Sequence, residues 1–580
     1  MKILRKISEN RLLLLLSLVV GLCAGLAAVL LERLIALIQS SLNPLMSAPG
    51  GFAWGRLVLP GIGMLLTLLF VRFVVRDDIG HGVTKVLLAL SRGDSRIRPH
   101  NMYSSLAASA LTIGFGGSVG AEAPIVYTGA ALGSNLGRAA GLSPHGITVL
   151  VGCGAAGAVS GIFGAPLAGV LFTLEILMFN ISMSSMMPLL LSTVSAAVVS
   201  YLFDGGVAKF ACAITPFQVT NIPFYIALGI VCGLLSLYFL HTTLALEDRL
   251  ARLRHPALRW LLCASALGLL IFLFPPLFGE GYTTLRSLLT DGDIAASGPL
   301  PLTSPAALPL FFLLVLLLKV LAMTFTNAGG GVGGTFGPTL IVGGLTGFVL
   351  ARALNLLFAG TGMVIPEHNF VLVGMAGLMA GVMQAPMTAI FLIAEITGGY
   401  ELLLPLILCS TVSFGTLRIR EKYSIYSKRI AQSGDLMTHD NDHSALMLIK
   451  TGDLVRDKYP HLRPEMTLRE LVALLAGSTA AVYPVLSADG RFLGQVEVEH
   501  IRNIMFRTEY YDTLCVRDLM EKPPFTVGVE ERMESVMEKF SKCGSWRLPA
   551  LSEDGRYQGF VSKSRVLEAY REVLREISTD

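Results

Sequence analysis

Charged residues are scarce in this sequence, and their scarcity excludes a soluble globular protein. Of 580 residues, 15% are charged and 53% are hydrophobic, and the mean hydropathy is +0.65. A soluble domain of this size could not bury so much apolar surface. Between residues 101 and 200 the only Asp, Glu, Lys or Arg residues are Glu122, Arg138 and Glu175. Such stretches are predicted to lie in a lipid bilayer.

Cysteine patterns and basic runs are also missing, which excludes several kinds of function. The eight cysteines are scattered singly, without the spacing of a disulfide framework or a metal site. We interpret them as small packing residues and predict neither a metal ion nor a cofactor. The net charge of +4 comes without a basic stripe, so no nucleic-acid partner is predicted.

Five apolar segments are long enough to cross a bilayer as helices, for which about 17 to 25 residues are needed. They are Leu12–Leu31, Leu57–Val75, Phe224–Leu240, Leu258–Phe274 and Leu308–Phe325. The basic start of the chain, residues 1–11, precedes the first segment, and no clear small-residue cleavage site follows it. An uncleaved first span with a cytoplasmic amino terminus is therefore predicted.

Two further apolar regions, residues 107–200 and 324–413, are interrupted by glycine and proline every few residues. Unpaired backbone is tolerated at membrane depth only where it is buried in protein or lines a cavity. We therefore expect many short, tilted and half-crossing helices in these regions.

The two interrupted regions repeat one pattern. At a constant spacing of 220 residues, Gly154, Ala156, Gly157, Gly161, Ala165, Pro166 and Glu175 match Gly374, Ala376, Gly377, Gly381, Ala385, Pro386 and Glu395. At a spacing of 214, Gly116, Gly117, Gly120, Pro124 and Gly129 match Gly330, Gly331, Gly334, Pro338 and Gly343. Broken apolar segments at corresponding places in two halves indicate a binding site at the midplane of an inverted-repeat transporter.

The composition changes to that of a soluble domain after Tyr426, so a membrane domain over residues 1–430 and a second domain over 431–580 are predicted. Inside the second domain, residues 484–494 reappear as residues 549–559, with seven of eleven residues identical. Each copy carries an Asp-Gly pair between short strand-like runs, as a β-hairpin would. Helix-like stretches, Thr467–Leu475 and Met533–Phe540, precede the copies and predict a tandem α/β repeat.

The segment Gly117-Ser-Val-Gly-Ala-Glu-Ala-Pro124 carries the strongest chemical signal. Proline is favoured in the first turn of a helix, and a helix that begins inside the membrane offers free amides and a partial positive charge to a small anion. A carboxylate at this place can occupy the anion site when it is ionised and leave it when it is protonated. Glu122 is therefore predicted to be a gate; the alternative is a glutamate that caps a helix in a glycine-packed bend.

The matching segment, Gly330-Gly-Val-Gly-Gly-Thr-Phe-Gly-Pro338, has no ionisable side chain and offers only backbone amides near Thr335 and Phe336. Amides suit a halide, whereas a cation site would need carbonyl or carboxylate oxygens. A third break, Gly80-His-Gly-Val-Thr84, could place another helix start at the same centre.

Together these elements resemble the CLC family of chloride channels and proton-coupled chloride antiporters over nearly the whole chain. Gly120-Ala-Glu-Ala-Pro124 resembles the family's Gly-Arg-Glu-Gly-Pro motif with its gating glutamate, and Gly334-Thr-Phe-Gly-Pro338 resembles Gly-x-Phe-x-Pro, which supplies amides to the central anion. Tyr426 lies where the family keeps a tyrosine whose hydroxyl contacts that anion. The soluble repeat is similar to paired CBS domains.

The resemblance implies an all-α membrane domain, built as an inverted repeat of about 18 helices, followed by a small α/β CBS pair. It implies permeation of chloride or a similar small anion by a homodimer, with both termini in the cytoplasm. For a prokaryotic member, the inner (cell) membrane is the expected location. The anion-binding residues that it implies are His81, Gly82, Val83, Gly120, Ala121, Ala123, Gly334, Thr335, Phe336, Gly337 and Tyr426, with Glu122 as the gate.

Three departures from the family pattern matter. His81 stands where the family has a serine that holds the anion, and Thr84 stands in place of a proline, so selectivity could differ and could depend on pH. The alternative is that His81 turns away and only backbone amides line this side of the site. Ile176 follows the acid Glu175 where coupled antiporters carry an internal glutamate, and an aliphatic side chain cannot relay a proton. Uncoupled, channel-like conduction is therefore favoured; the alternative is proton-coupled antiport by another route.

The third departure concerns the CBS pair. Where nucleotide-binding CBS pairs carry an aspartate, this sequence has His500 and Arg565. Ser562 and Lys563 could still meet the phosphate of a bound nucleotide, but a purely structural role is the interpretation that we favour.

Two functions of other classes compete with anion permeation as interpretations of the sequence. An intramembrane serine protease could use Ser160, but no histidine base is evident on a neighbouring apolar segment, and the repeat mate of Ser160 is Ala380. A cation-coupled transporter of larger solutes would need a polar cavity that the sequence does not indicate. No enzymatic activity is predicted.

Overall fold

The structure is a computed structural model. It describes residues 9–46, 54–91, 95–177, 183–205, 209–210, 214–253, 255–290, 307–359, 364–433, 449–457 and 459–579. The chain divides into two compact units, Met1–Leu436 and Met437–Asp580. Residues 1–8, on which the predicted cytoplasmic amino terminus mainly depends, lie outside the described residues. Residues 434–448, near the start of the predicted second domain, also lie outside them.

Helices and the loops between them make up the described residues of the first unit, apart from one isolated β-bridge. Its helices are α1 (Glu9–Met46), α2 (Trp54–Leu69, continued by a π-helical turn, Phe70–Val75), α3 (Gly82–Ser91), α4 (Ser104–Gly114), α5 (Glu122–Ala140), α6 (Pro144–Phe163), α7 (Pro166–Glu175), α8 (Met183–Asp204), α9 (Ile222–Ala251), α10 (Pro256–Leu273), α11 (Tyr282–Leu289), α12 (Leu308–Ala328), α13 (Phe336–Leu357), α14 (Glu367–Met383), α15 (Pro386–Thr397), α16 (Leu403–Arg418) and α17 (Lys428–Ser433). Short 3-10 turns at Pro99–Met102, Val219–Asn221 and Pro275–Leu277 join some of them.

Among the described residues, eight helices are long and apolar enough to cross a membrane. They include all five of the predicted spans, which are confirmed as α1, α2, α9, α10 and α12. The shorter apolar helices, among them α3, α4, α7 and α15, fall short of that length. The predicted mixture of long and short apolar helices is therefore confirmed, but three of the long helices, α6, α8 and α13, lie in the two interrupted regions, where short helices were expected.

The glycine repeat is explained by close helix packing in both halves. Helix α5 packs on α6, and α13 packs on α14. A Cβ on Gly129 would clash with the carbonyl of Gly154, and a Cβ on Gly343 would clash with the carbonyl of Gly374. Because these four residues are repeat mates, the same tight contact occurs twice.

The break before α7 is repeated before α15. Gly164 and Gln384 are repeat mates, and both adopt a left-handed conformation, with φ of 67° and 54°. Proline then occupies the first helical position, as Pro166 in α7 and Pro386 in α15, where its missing N–H leaves no hydrogen bond unmade.

Two glutamates tie the halves to each other. Glu175, at the end of α7, accepts hydrogen bonds from the amides of Met387 and Thr388 in the first turn of α15, at 3.0 and 2.7 Å. Its mate Glu395 accepts from the amides of Leu167 and Ala168 in the first turn of α7, at 3.0 and 2.9 Å. Each carboxylate thus caps the other half's helix, where the helix dipole favours a negative charge.

The second unit contains the predicted tandem α/β repeat. Its elements are α18 (Thr451–Leu454), α19 (Leu468–Ala476), β1 (Val482–Leu486), β2 (Phe492–Glu497), α20 (Val498–Ile501), α21 (Val516–Leu519), β3 (Val527–Gly528), α22 (Met533–Cys543), β4 (Arg547–Leu551), β5 (Tyr557–Ser562) and α23 (Lys563–Thr579). Strand β1 pairs antiparallel with β2, and β4 pairs antiparallel with β5 and parallel with the short β3.

Both predicted hairpins and both predicted helices of the repeat are confirmed. The turn glycines Gly490 and Gly555 have φ of 76° and 75°, which an Asp-Gly hairpin turn requires. Helices α19 and α22 match the predicted helical stretches, and each packs on its own hairpin through a separate apolar core.

Candidate functional site

The starts of two helices meet in the middle of the first unit. Helix α5 begins at Glu122 and helix α13 begins at Phe336. The loops that precede them are joined by a short antiparallel bridge, in which the amide of Gly120 donates to the carbonyl of Gly334 at 2.9 Å and the amide of Gly334 donates to Gly120 at 2.7 Å. Gly120 and Gly334 are repeat mates, so the bridge lies where the two halves of the repeat meet.

The carboxylate of Glu122 lies on the start of the opposite helix. Its side chain is 2% exposed. The amide of Gly337, in the first turn of α13, donates to Oε2 at 3.2 Å, and the hydroxyl of Tyr282 donates to Oε1 at 2.5 Å. A carboxyl group therefore occupies one of the free amides that a helix start offers to an anion.

Thr335, Phe336 and Tyr426 surround the start of α13. The Thr335 hydroxyl donates to the Tyr426 hydroxyl at 3.0 Å, and both residues are buried. The ring of Phe336 packs against Phe163 and Phe172, with centroid separations of 5.4 and 6.4 Å. The side chain of Phe336 is thus anchored in an aromatic cluster.

The third predicted segment, residues 81–83, also reaches this centre. A Cβ on Gly82 would lie 2.6 Å from the carbonyl oxygen of Ala123, so the start of α3 packs directly on the start of α5. His81 adopts a left-handed conformation with φ of 50°. Its side chain is 41% exposed, and Nε2 lies 3.5 Å from Oε1 of Glu247 on α9. Val83 is buried. The starts of α3, α5 and α13 and the hydroxyl of Tyr426 therefore lie together, while the imidazole of His81 is directed toward Glu247.

Two cavities border these residues. The larger, with a volume of about 560 Å³, is lined by Ala121 and Glu122 together with Glu280, Tyr282, Lys209 and Arg286, among others. The smaller, of about 40 Å³, is lined by His81, Thr84, Thr243, Leu244, Glu247, Thr335, Ile425, Tyr426 and Arg429. The gate candidate thus faces one cavity, and the residues around the start of α13 face the other.

Several residues that sequence reasoning missed complete the site. Glu280 accepts a hydrogen bond from the amide of Ala121 at 3.1 Å, so a second carboxylate lies at the start of α5. It is flanked by Gly279 and Gly281, which have φ of 59° and 94°. That Gly-Glu-Gly sequence was the available signal for a sharply turned, acidic loop.

Lys319 was also missed, although it is one of very few charged residues in an apolar span. Its side chain is fully buried in α12, and Nζ donates to the Ser118 hydroxyl and to the Gly279 carbonyl, each at 2.8 Å. The ammonium therefore joins the loop that precedes α5 to the loop that carries Glu280. It also interacts electrostatically with Glu280 and Glu122.

Comparison with known proteins decides the family. A family model described as voltage gated chloride channel matches residues 62–418, and a CBS domain model matches residues 452–507 and 516–572. The chain belongs to the voltage-gated chloride channel, or CLC, family. It is a multi-pass membrane protein of this chloride-transporting family, with two CBS domains after the membrane part.

Curated relatives of this CLC chain cover most of its length. A ClcB-like chloride channel protein of Ralstonia nicotianae is 30% identical over 391 residues, which cover 66% of this chain and 87% of the relative. A voltage-gated ClC-type chloride channel, ClcB, of Salmonella typhimurium is 27% identical over 436 residues, covering 72% and 99%. Chloride channel protein CLC-e of Arabidopsis thaliana is 27% identical over 423 residues, covering 67% and 57%.

Solved structures share the CLC fold. A slow cyanobacterial Cl⁻/H⁺ antiporter superposes with a TM-score of 0.63 at 21% identity, over 74% of this chain and 98% of the other. A eukaryotic CLC transporter gives a TM-score of 0.63 at 18% identity, over 96% and 98%. A CLC-type fluoride/proton antiporter gives 0.59 at 24% identity, over 72% and 97%.

Two positions at which this CLC chain departs from the family pattern have clear surroundings. Ile176 is 3% exposed and packs in the main apolar core, while Glu175 beside it is engaged by the start of α15. In the CBS pair, Nδ1 of His500 lies 3.0 Å from the carboxylate of Glu521, and the amide of Arg565 donates to Ser562.

Proposed function

We propose that this CLC protein carries chloride or a similarly small anion across the membrane, with Glu122 as the gate. The observation that carries the proposal is the hydrogen bond from the Gly337 amide to the Glu122 carboxylate. An ionised carboxylate on a helix start competes with an anion for the same amides. A protonated Glu122 has no negative charge with which to compete for these amides, so the anion can bind in its place.

The anion would be held by the backbone at the starts of three helices and by the Tyr426 hydroxyl. The residues proposed for this role are His81, Gly82, Val83, Gly120, Ala121, Ala123, Gly334, Thr335, Phe336, Gly337 and Tyr426. Their support is the close packing of the starts of α3, α5 and α13, and the hydrogen bond between Thr335 and Tyr426. A centre built from N–H and O–H donors suits an anion, because anions accept hydrogen bonds.

The identity of residue 176 favours channel-like conduction. The side chain of Ile176 is aliphatic and buried among apolar neighbours, so it cannot take up a proton. The neighbouring Glu175 holds two amides of α15, which leaves it committed to a structural role. A proton route through this part of the chain is therefore not proposed.

Proton-coupled exchange is the second candidate, and two observations favour it. Two of the structural neighbours are described as antiporters that move protons, one with chloride and one with fluoride. In this chain residue 176 is aliphatic, but the buried carboxylate of Glu247 borders the same small cavity as Tyr426, so an acid lies beside the proposed pathway.

An intramembrane enzyme is not supported. Ser160 is fully buried, and its hydroxyl donates to the carbonyl of Thr193 at 2.6 Å. A nucleophilic serine needs a base that accepts this proton. We propose no catalytic role for Ser160.

The proposed setting follows that of the family. We propose a homodimer in a prokaryotic inner membrane, with both termini in the cytoplasm. For the CBS pair we propose structural support of the dimer rather than a nucleotide site, since His500 is engaged by Glu521.

The test is to reconstitute the purified chain in liposomes with a chloride gradient and to record chloride and proton movement together. Chloride efflux without proton uptake is expected for channel-like conduction, and a fixed proton-to-chloride ratio would establish exchange instead. Glu122→Gln should make chloride efflux faster and insensitive to pH.

Glu367→Gln is the matched control. Glu367 begins α14, pairs with Arg352 at 3.3 Å and lines neither cavity, so its neutral variant should behave as the wild type. Absence of anion flux from the wild-type protein would refute the proposed function. An unchanged pH dependence in Glu122→Gln would show that Glu122 is only a cap.

A further inference from the structure

Helices α2 and α10 together present an exposed apolar face. Its members recur at the three- and four-residue spacing of one side of a helix. They are Val58, Ile62, Leu66, Leu69 and Phe73 on α2, which are 39 to 63% exposed, and Leu258, Leu261, Leu262 and Leu269 on α10, which are 46 to 52% exposed. Helix α10 packs along α2, and the indole of Trp260 donates to the Gly61 carbonyl at 3.0 Å, so the two parts of the face adjoin. In a membrane protein such a face borders the acyl chains of lipids.

The register of α2 on α10 places the end of α2 beside the start of α10. The carbonyl of Leu57 faces Gly268, and Gly61 faces Ala264. The helices are therefore antiparallel, with one residue back on α10 for each residue forward on α2. Arg72 lies eleven residues beyond Gly61, and the position eleven residues before Ala264 is 253, in the turn that joins α9 to α10.

Five exposed basic residues lie around this turn, and we call them the basic corner. Arg72 and Arg76 lie at the end of the π-helical extension of α2, and Arg249, Arg252 and His255 lie at the end of α9 and in the turn. The guanidinium carbon of Arg72 is 6.0 Å from the ring centre of Phe73, the last member of the apolar face on α2. Positive charge therefore lies directly at the end of the apolar face.

The neighbouring carboxylates do not neutralise the basic corner. Each has a basic partner outside it: Asp77 pairs with Arg98, Asp78 with Lys85, and Asp248 with Arg429. Within the part of the chain that the structure describes, no carboxylate forms an ion pair with an arginine of the corner. The corner therefore keeps its positive charge for a ligand.

The basic corner lies at the level where a bilayer meets water. Gly63 of α2 faces Phe115 of α4, and the Thr67 hydroxyl donates to the Ala108 carbonyl, so the start of α4 lies beside the end of α2. Tyr103, which precedes α4, is 61% exposed. Exposed tyrosine is typical of the membrane–water interface, where the headgroups of phospholipids lie.

We propose that the basic corner binds the headgroup of an anionic phospholipid, whose acyl chains lie on the apolar face of α2 and α10. Guanidinium groups donate hydrogen bonds in pairs to phosphate oxygens, and clusters of basic residues at the ends of spans bind anionic headgroups. A soluble phosphate would leave the apolar face uncovered, whereas a zwitterionic lipid carries its own ammonium. An anionic phospholipid matches both the charge and the apolar face, and its binding is independent of anion flux.

Native mass spectrometry of the delipidated full chain in detergent measures this binding directly. Phosphatidylglycerol, cardiolipin and phosphatidylcholine are added in turn, and the lipid bound per chain is counted. We expect both anionic lipids to bind more tightly than phosphatidylcholine, by about tenfold. A basic residue near an anionic headgroup contributes about fivefold to affinity. Arg72→Gln combined with Arg252→Gln should therefore weaken phosphatidylglycerol binding roughly 10- to 25-fold and leave phosphatidylcholine binding unchanged.

Arg56→Gln is the matched control, because Arg56 lies at the opposite end of α2 and loses the same charge. It should bind phosphatidylglycerol as the wild type does. Arg72→Lys combined with Arg252→Lys retains both charges and should retain most of the affinity, which separates loss of the site from loss of the fold.

Three results would overturn the proposal. Phosphatidylcholine that binds as tightly as phosphatidylglycerol, or an equal loss in Arg56→Gln, would show that the corner selects no headgroup. Inorganic phosphate that displaces the bound lipid at millimolar concentration would make the corner a site for a soluble anion. A dimer that excludes lipid from Phe73 would make the apolar face an interface between two copies of the chain.

Discussion

The hydroxyl of Tyr282 donates a 2.5 Å hydrogen bond to Oε1 of Glu122, from a helix that lies outside both repeat motifs. The amide of Gly337 donates to the other oxygen, so both carboxylate oxygens of Glu122 accept a hydrogen bond. Hydrogen bonds to a charged group stabilise that group more strongly than bonds between neutral partners do. Tyr282 should therefore keep the proposed gate closed.

Tyr282→Phe removes this hydroxyl and should open the gate more often. Loss of a hydrogen bond to a charged group costs about 1.5 to 3 kcal/mol, which corresponds to roughly tenfold to a hundredfold in an equilibrium. We expect chloride efflux from liposomes at neutral pH to rise by about tenfold. The effect should vanish in the Glu122→Gln background, and an equal increase there would show that Tyr282 acts independently of the gate.

Glu280→Gln should strengthen chloride binding. Burial and the nearby charge of Glu122 raise the pKa of Glu280 to about 8, so the comparison is made above that pH, where the carboxylate is ionised. The ionised carboxylate accepts from the amide of Ala121 at the start of α5, and a neutral amide side chain competes less well with an anion for that donor. We expect the chloride affinity measured by calorimetry to rise several-fold. Glu32→Gln removes a carboxylate from the same cavity that does not contact Ala121. An equal gain in that variant would show that removing any negative charge from the cavity has this effect.

How much of this site could be predicted depended on repetition in the sequence. Glu122 and Thr335 lie in glycine-rich breaks that recur at a constant spacing, and the repeat alone placed them at one centre. Tyr282 and Glu280 lie in a short loop and helix without such a counterpart. Their contacts with Glu122 and Ala121 span 160 and 159 residues of sequence. Periodicity carries no information about contacts of that kind.

The burial of Glu247 was beyond sequence reasoning for a different reason. It lies at the polar end of a long apolar helix, where a charged residue is ordinarily solvated. In the fold it is 9% exposed and lies against His81 and Arg429. The helical spans and the hairpins, by contrast, follow from local apolar patterns and turn residues, and these were predicted correctly.

Glu175→Gln should destabilise the protein without changing its anion selectivity. The carboxylate accepts from two amides and from the Thr388 hydroxyl, and a neutral side chain loses both the charge and an acceptor oxygen. Each hydrogen bond to a charged group is worth roughly 1.5 to 3 kcal/mol, so the unfolding temperature should fall by several degrees. Glu395→Gln should have a similar effect, because its contacts mirror those of Glu175. A loss of proton movement with unchanged stability would make Glu175 part of a proton route.

Glu531→Gln should destabilise the second CBS repeat at neutral pH and have less effect in acid. Partial burial opposes ionisation of Glu531, but hydrogen bonds from Lys539, Ser535 and the Gly528 amide lower its pKa below the ordinary value of 4.5. A lowered pKa stabilises the fold above the unfolded value, and this contribution is lost as the pH falls through the folded value. Hydrogen exchange of residues 527–551 in the full chain should therefore be faster in the variant at pH 7 and converge with the wild type below about pH 4. Glu538→Gln is the control, and it should change the exchange little at either pH because the pair of Glu538 with Lys542 is exposed.

His81→Ser should change anion preference. The imidazole borders the small cavity together with Thr335 and Tyr426, and it lies 3.5 Å from the buried Glu247. A serine is smaller and offers a hydroxyl donor, so the variant should bind a spherical anion more closely and relieve the crowding that a bulky ring imposes. We expect chloride to gain relative to the planar nitrate when the fluxes of chloride, nitrate and fluoride are compared in the same liposomes. Since Thr84 lines the same cavity, Thr84→Val tests whether any side-chain change there has this effect. Identical preferences in the wild type and in His81→Ser would remove the imidazole from the pathway and leave only backbone amides on that side.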